Sequence, residues 1–253
     1  MVTVPVLMYH RVDPIVIDRN TVSVEQFARQ LDYLSCKGYT TLTLAELYEG
    51  LSGSRQLPSR SVVLTFDDGY ADIITYALPL LQRYNMKASV FVVTDLAGQK
   101  CSWLKDHECN QLMTWEQMEQ WLEAGMEIGS HTLTHPRLNR LSDENIQHEL
   151  AASKEILETR LKTKVDVICY PYGDIDDRVI RFAKEVGYKA GLAIFDNVSL
   201  WNQDLFAISR LGISSRLPMW EFKLKVSKLS SYFIWMRILE RKCKRFLRRL
   251  RKK

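Results

Sequence analysis

Three short segments carry residue types that could do chemistry together: Asp67-Asp68-Gly69, the pair His131 and His135, and Tyr170-Pro171-Tyr172-Gly173. Two adjacent carboxylates cannot face the same way along a pleated strand, but at a strand terminus the backbone turns, and Gly69 permits a tight bend. One carboxylate can then bind a divalent cation while its neighbour, kept ionised by that charge, accepts a proton from water. In isolation Asp-Asp-Gly reads only as a turn. The two histidines share a face if the residues between them take a helical turn, and neutral imidazoles are the commonest ligands of zinc and its transition-series neighbours. One carboxylate with two imidazoles is the donor set of a hydrolytic metal site with coordination positions left open.

These residues need a scaffold that brings distant segments to one place. The 253 residues suit one large domain, or a domain with an appendage, because α/β barrels use about 200–250 residues as one unit. With 46% hydrophobic and 26% charged residues, the composition excludes wholesale disorder, a collagen-like repeat and a disulfide-stapled miniprotein. Apolar runs alternate with segments of helical period, as in repeated βα units around a parallel sheet. Strands are expected at 4–9, 61–66, 88–93, 126–129, 165–170, 188–194 and 208–213. Helices are expected at 24–37, 78–84, 114–124, 142–161 and 176–186, with Thr114 and Gln117 forming a capping box and Gly187 closing the last. Another strand-helix unit begins at 40–44, and 98–112 reads as a loop over one face. All three chemical segments then fall at C-terminal ends of strands, where catalytic groups converge in parallel barrels.

Thr65-Phe66-Asp67-Asp68-Gly69-Tyr70, His131-Thr132-x-x-His135-Pro136 and Tyr170-Pro171-Tyr172-Gly173, in this order and spacing, resemble the first three motifs of the polysaccharide deacetylase family, also known as the NodB-homology or carbohydrate esterase family 4 domain. The opening Pro5-Val6-Leu7-Met8-Tyr9-His10-Arg11-Val12 resembles its biofilm poly-N-acetylglucosamine deacetylase branch, and the similarity spans about residues 3–215. The resemblance implies a distorted (β/α) barrel, TIM-like, that removes the N-acetyl group from an amino sugar. By position, Asp67 would be the general base, Asp68, His131 and His135 would hold one divalent metal ion (zinc, or cobalt, nickel or manganese), and the backbone N–H of Tyr172, beside Pro171, would meet the oxyanion.

The chain also departs from that pattern. Many members carry an arginine two residues before the proline of the third motif, where this chain has Cys169; Arg210 on the last strand is the candidate substitute. The C-terminal Leu-x-x-His that supplies the general acid is missing, since Leu211-Gly212-Ile213 runs into Ser214. His10, ending the first strand on the same barrel face, is the candidate acid. Trp103, Trp115 and above all Trp201 are candidates for a sugar-stacking wall. The alternative readings are a deformylase or esterase on the same scaffold, or a degenerate sugar- or membrane-binding module.

The net charge of +5 is unevenly spread: residues 221–253 hold 13 Lys/Arg against two Glu, leaving 22 basic and 28 acidic residues before them. From Tyr232 to Leu250 apolar residues recur at three- and four-residue intervals opposite a basic face, an amphipathic helix suited to an anionic membrane surface. Nucleic-acid binding would not need the apolar stripe, so no nucleic-acid partner is expected; protein docking and a solvated extension are the other readings. Residues 1–217 are therefore expected to form the catalytic domain and 218–253 a basic C-terminal tail. The five cysteines show no paired spacing and are expected reduced, and the apolar N-terminus reads as a core strand rather than a signal peptide. The expected location is the cytoplasm, peripherally on the inner face of the cell membrane. The expected substrate is a lipid-linked or lipopolysaccharide-type glycan.

Overall fold

In the computed structural model, residues 4–101, 103, 111–194 and 204–227 are described. Seven parallel strands close into a barrel in the order β1 (Val6–Tyr9), β10 (Ile208–Gly212), β9 (Ala190–Ile194), β8 (Val167–Cys169), β7 (Glu127–Ser130), β6 (Ser89–Val92) and β5 (Ser61–Phe66), with β5 pairing back onto β1. The short β4 (Thr40–Thr41) pairs with the start of β5, whose later residues pair with β6. Two-residue strands β2 (Arg11–Val12) and β3 (Thr21–Val22) form a separate ribbon. The expected (β/α) barrel is thus present, and every expected strand lies within three residues of its reading. Among the described residues, no helix is long and apolar enough to cross a membrane.

Every residue of β5 is buried, as expected of a strand with side chains facing both the barrel lumen and a helix layer. Alternation sorts the two faces. Val6, Val63, Phe91, Val167 and Leu192 pack together in one cluster with Leu44 and Leu47 of α2 (Leu44–Leu51). Their neighbours Leu7, Leu64, Val90 and Ile168 pack in the larger cluster with Phe27 and Leu31 of α1 (Val24–Cys36) and Ile146 and Leu150 of α5 (Asp143–Leu161). Phe91 fills the lumen because Gly129 faces it: a Cβ on Gly129 would stand 2.3 Å from that ring.

The remaining helices follow the reading, with one difference. The chain reaches α3 (Leu78–Arg83) through a wider π-turn over Ile73–Ala77, so helical structure begins earlier than the periodicity suggests. In α4 (Trp115–Glu123), Thr114 and Gln117 form both bonds of the expected capping box. Gly187, at φ +93°, ends α6 (Asp177–Val186) in the left-handed conformation that glycine adopts without a steric cost. Part of the C-terminal segment is also described: α7 (Met219–Val226) puts Phe222 and Val226 into the helix-facing core. The basic amphipathic stretch from residue 228 onward, and Trp201, lie outside the described residues.

Candidate active site

The lumen alternation continues past the strand ends into the site. Val6 and Val63 are paired in register, as are Met8 and Thr65, so His10 and Asp67 are the next pair along the same wall; the Asp67 N–H still bonds the Tyr9 carbonyl at 3.0 Å. Gly129 leads in the same way to His131, whose N–H bonds the Val92 carbonyl at 2.9 Å. From β8 and β10, Cys169 and Arg210 close the ring. Asp67, His131, Cys169 and Arg210 are 3%, 2%, 0% and 1% exposed, so their polar atoms must find partners inside the protein.

Arg210 supplies the largest share. It grips Asp67 with two parallel bonds, Nη1 to Oδ1 at 2.6 Å and Nη2 to Oδ2 at 2.8 Å, and also reaches Thr65 Oγ1 at 3.2 Å and Cys169 Sγ at 3.0 Å. A guanidinium at this distance leaves no room for an arginine at position 169, which accounts for the small thiol there. Burial alone would push the Asp67 carboxyl up, but the Arg210 charge and its hydrogen bonds outweigh this and hold it below its ordinary value. Asp67, His131 and Cys169 also approach one another closely enough to bind a cation, but the guanidinium already occupies both oxygens of that carboxylate.

Asp68 leaves the pleat through left-handed backbone at φ +71°, followed by Gly69 at +73°. Its Oδ1 lies 3.3 Å from His131 Nε2 and 3.3 Å from His135 Nε2. Burial pushes the Asp68 carboxyl up, yet hydrogen bonding with the two imidazoles outweighs it and holds the group well below the ordinary range. His131 Nδ1 is 2.7 Å from the Cys169 carbonyl, which can only accept, so Nδ1 carries a proton, and when the ring is neutral, as a metal ligand must be, its Nε2 lone pair is the one turned toward Asp68. With His135 Nε2 facing the same carboxylate oxygen, a cation between the three atoms would satisfy them all. Ligand atoms in a tetrahedral zinc shell stand roughly 3.3–3.6 Å apart, given bonds of about 2.0–2.2 Å. The residues therefore fit a divalent ion, with Asp68, His131 and His135 as its protein ligands.

No helical turn joins the two histidines, so they meet by another route. Thr132 and His135 both have left-handed backbone, at φ +69° and +66°, because the loop is shaped by side chains and not by helical bonds. Buried Glu149 on α5 accepts from the N–H groups of Leu133 and Thr134, each at 2.9 Å, and from Thr134 Oγ1 at 2.6 Å. Ser130 Oγ accepts from Thr132 N–H, and Thr132 Oγ1 from His135 N–H, both at 3.1 Å. Sequence reasoning missed Glu149; its only signal was a carboxylate on the face of α5 that also carries Ile146, Leu150 and Ser153.

Of the other expected residues, His10 is half-buried, its Nδ1 is enclosed without a hydrogen-bond partner among the described residues, and it lies close enough to lower both Asp67 and Asp68. Pro171 is buried, and Tyr172, at φ +60°, turns outward with 38% exposure. Trp103 forms no open wall; its ring stacks on His135 at 4.1 Å. Trp115 packs against the helix-facing core under Arg160 and takes no part in the site.

The polysaccharide deacetylase model matches residues 54–191, which include all three motifs. The chain belongs to the polysaccharide deacetylase family. It is 31% identical over 212 residues to YxkH of Bacillus subtilis, covering 83% of this chain and 71% of that one. It is 28% identical to the poly-beta-1,6-N-acetyl-D-glucosamine N-deacetylase of Staphylococcus aureus, over 78% of this chain and 69% of the relative. Among solved structures, the Streptococcus pyogenes deacetylase PplD in complex with acetate superposes with a TM-score of 0.78 at 26% identity, covering 88% of this chain and 98% of that one.

Proposed function

We propose that this family member is a divalent-metal-dependent N-deacetylase of a GlcNAc-type amino sugar. The observation that carries the reading is one ionised, arginine-held carboxylate, Asp67, directly beside the Asp68, His131 and His135 donor set. A divalent ion in that set, with zinc the best match to its donors, would supply Lewis acidity, polarising the acetamide carbonyl and acidifying a water. Asp67, lowered by Arg210, is ionised at neutral pH and takes the proton of the attacking water. The two-point grip of Arg210 fixes both carboxylate oxygens, so the base meets the water in one orientation. The left-handed turn at Tyr172 and buried Pro171 set the backbone N–H that receives the developing oxyanion. His10, which with Asp67 follows directly after the last residue pair of β1 and β5, Tyr9 and Phe66, delivers the proton to the departing amine.

The amino sugar follows from the substrate named for the Staphylococcus aureus relative. The presentation of that sugar, on a lipid-linked or lipopolysaccharide-type glycan at the cytoplasmic membrane face, is supported by the basic amphipathic pattern of residues 232–250, which suits an anionic lipid surface. In the same reading Trp201 stacks on the sugar, and the basic stretch of 218–253 that follows the core-packed α7 attaches the chain to the surface.

The test is acetate release from N-acetylated glycans by the full chain, with and without chelator. Asp67→Asn is expected to lower kcat by about 100-fold or more while zinc content stays unchanged; full activity in that variant overturns the assignment of the base. Lipid-linked GlcNAc should be a better substrate than a soluble oligomer, and the reverse preference overturns the membrane reading alone.

A further inference from the structure

The two imidazoles of the donor set are held in different ways. Metal-bound histidines usually donate the second ring N–H to a carbonyl or carboxylate, which fixes the ring plane and raises ligand basicity. His131 does so, with Nδ1 at 2.7 Å from the Cys169 carbonyl. His135 does not: its Nε2 faces Asp68, and its Nδ1 is buried with no hydrogen-bond partner among the described residues. Its backbone is left-handed, at φ +66°.

Aromatic faces surround that ring. The indole of Trp103 lies parallel to it, with centroids 4.1 Å apart and planes 27° apart. Tyr172 lies 4.8 Å away and tilted by 58°. Both neighbours are themselves anchored. Trp103 Nε1–H donates to the Tyr70 hydroxyl at 3.2 Å, which ties the indole to the segment just after Asp68 and Gly69. The Arg137 guanidinium sits 4.1 Å over the Tyr172 ring and pairs with Asp174. Three separate loops, after β6, β7 and β8, thus converge on one imidazole.

Building on the metal reading above, we propose that Trp103 and the Arg137-braced Tyr172 ring are the positioning residues of His135, replacing the missing Nδ1 hydrogen bond. An imidazole that ligates a cation becomes electron-poor, and the negative faces of indole and phenol attract it more strongly in that state. The aromatic pair therefore favours the loaded site over the empty one. A hydrogen-bonded histidine gains basicity through its partner; here the gain comes through the ring faces.

The experiment measures zinc affinity of the metal-free full chain by competition with a chromophoric chelator, and the visible absorption of the cobalt-substituted protein. Trp103→Leu, which keeps bulk but loses the ring, is expected to weaken zinc by about 10-fold, the size seen when a ligand-orienting group is lost. It should also alter the cobalt bands. Trp103→Phe keeps a ring face and should recover most of the affinity. Arg137→Met, a change at a half-exposed side chain, should weaken zinc by about threefold, the scale of a surface cation–π contact. Wild-type affinity and wild-type cobalt bands in both Trp103→Leu and Arg137→Met overturn the inference alone. A wild-type chain that takes up neither zinc nor cobalt overturns the metal reading and this inference with it.

Discussion

The two sides of the site are built on different principles. Asp67, His131, Cys169 and Arg210 stand on strands or one residue beyond them, held by the ladder bonds of the barrel. Asp68, Thr132, His135 and Tyr172 stand on turns, and they are four of the six non-glycine residues with left-handed backbone among the described residues. That conformation costs a non-glycine residue about 1–2 kcal/mol, so something must hold each one in place. On the strand side the sheet itself does the work. On the turn side it falls to individual side chains: Glu149 and Thr132 for the histidine loop, and Arg137 with Asp174 for the Tyr172 turn. The base and one ligand, His131, thus rest on the sheet, while the ligands Asp68 and His135 rest on turns.

The strand side should fail hardest when broken. Arg210→Met leaves the Asp67 carboxylate buried without its partner, with an expected loss of about 3–5 kcal/mol by denaturant unfolding. The sign of the pH dependence checks the same pair. Because the Asp67 carboxyl is lowered in the folded protein, its contribution is present above the ordinary value of 3.8 and is lost as the pH falls through the lower folded value. Replacing Arg210 should remove that part of the acid sensitivity, and an unchanged acid limb would show that the pair is not what stabilises the ionised base. On the turn side, Glu149→Ala strands the buried Leu133 N–H, removes the acceptor of Thr134, and should cost about 1–3 kcal/mol. Glu149→Gln keeps an acceptor and should recover most of it; equal losses in both would mean that charge, and not the hydrogen bonds, shapes the loop. The smallest effect is expected away from the site. Lys162, left-handed at the end of α5, supports no ligand, so Lys162→Gly should stabilise the fold by roughly 0.5 kcal/mol with kcat unchanged. A loss of activity there would contradict the separation of strained backbone that serves the site from strained backbone that does not.

Much of this architecture was legible in the chain itself. A strand buried on both faces must be apolar throughout, so 61–66 announced itself, and its abrupt end in Asp67-Asp68-Gly69 marked the site. Thr114 with Gln117 and the closing Gly187 were equally readable, because caps and turns are decided by neighbours along the sequence. Arg210 could be named only as a candidate, since its partner lies 143 positions away and nothing local fixes which lumen residue a guanidinium will reach. Glu149 and the stacking of Trp103 on His135 were not readable at all. Both depend on which loops barrel closure brings together, and no helical turn joins His131 to His135 for the same reason: a helix carboxylate and two hydroxyls gave that loop's N–H groups better partners than a local helix could. Local chemistry wrote the order of strands and helices and the identity of the reactive groups; only closure of the barrel decided which of those groups touch.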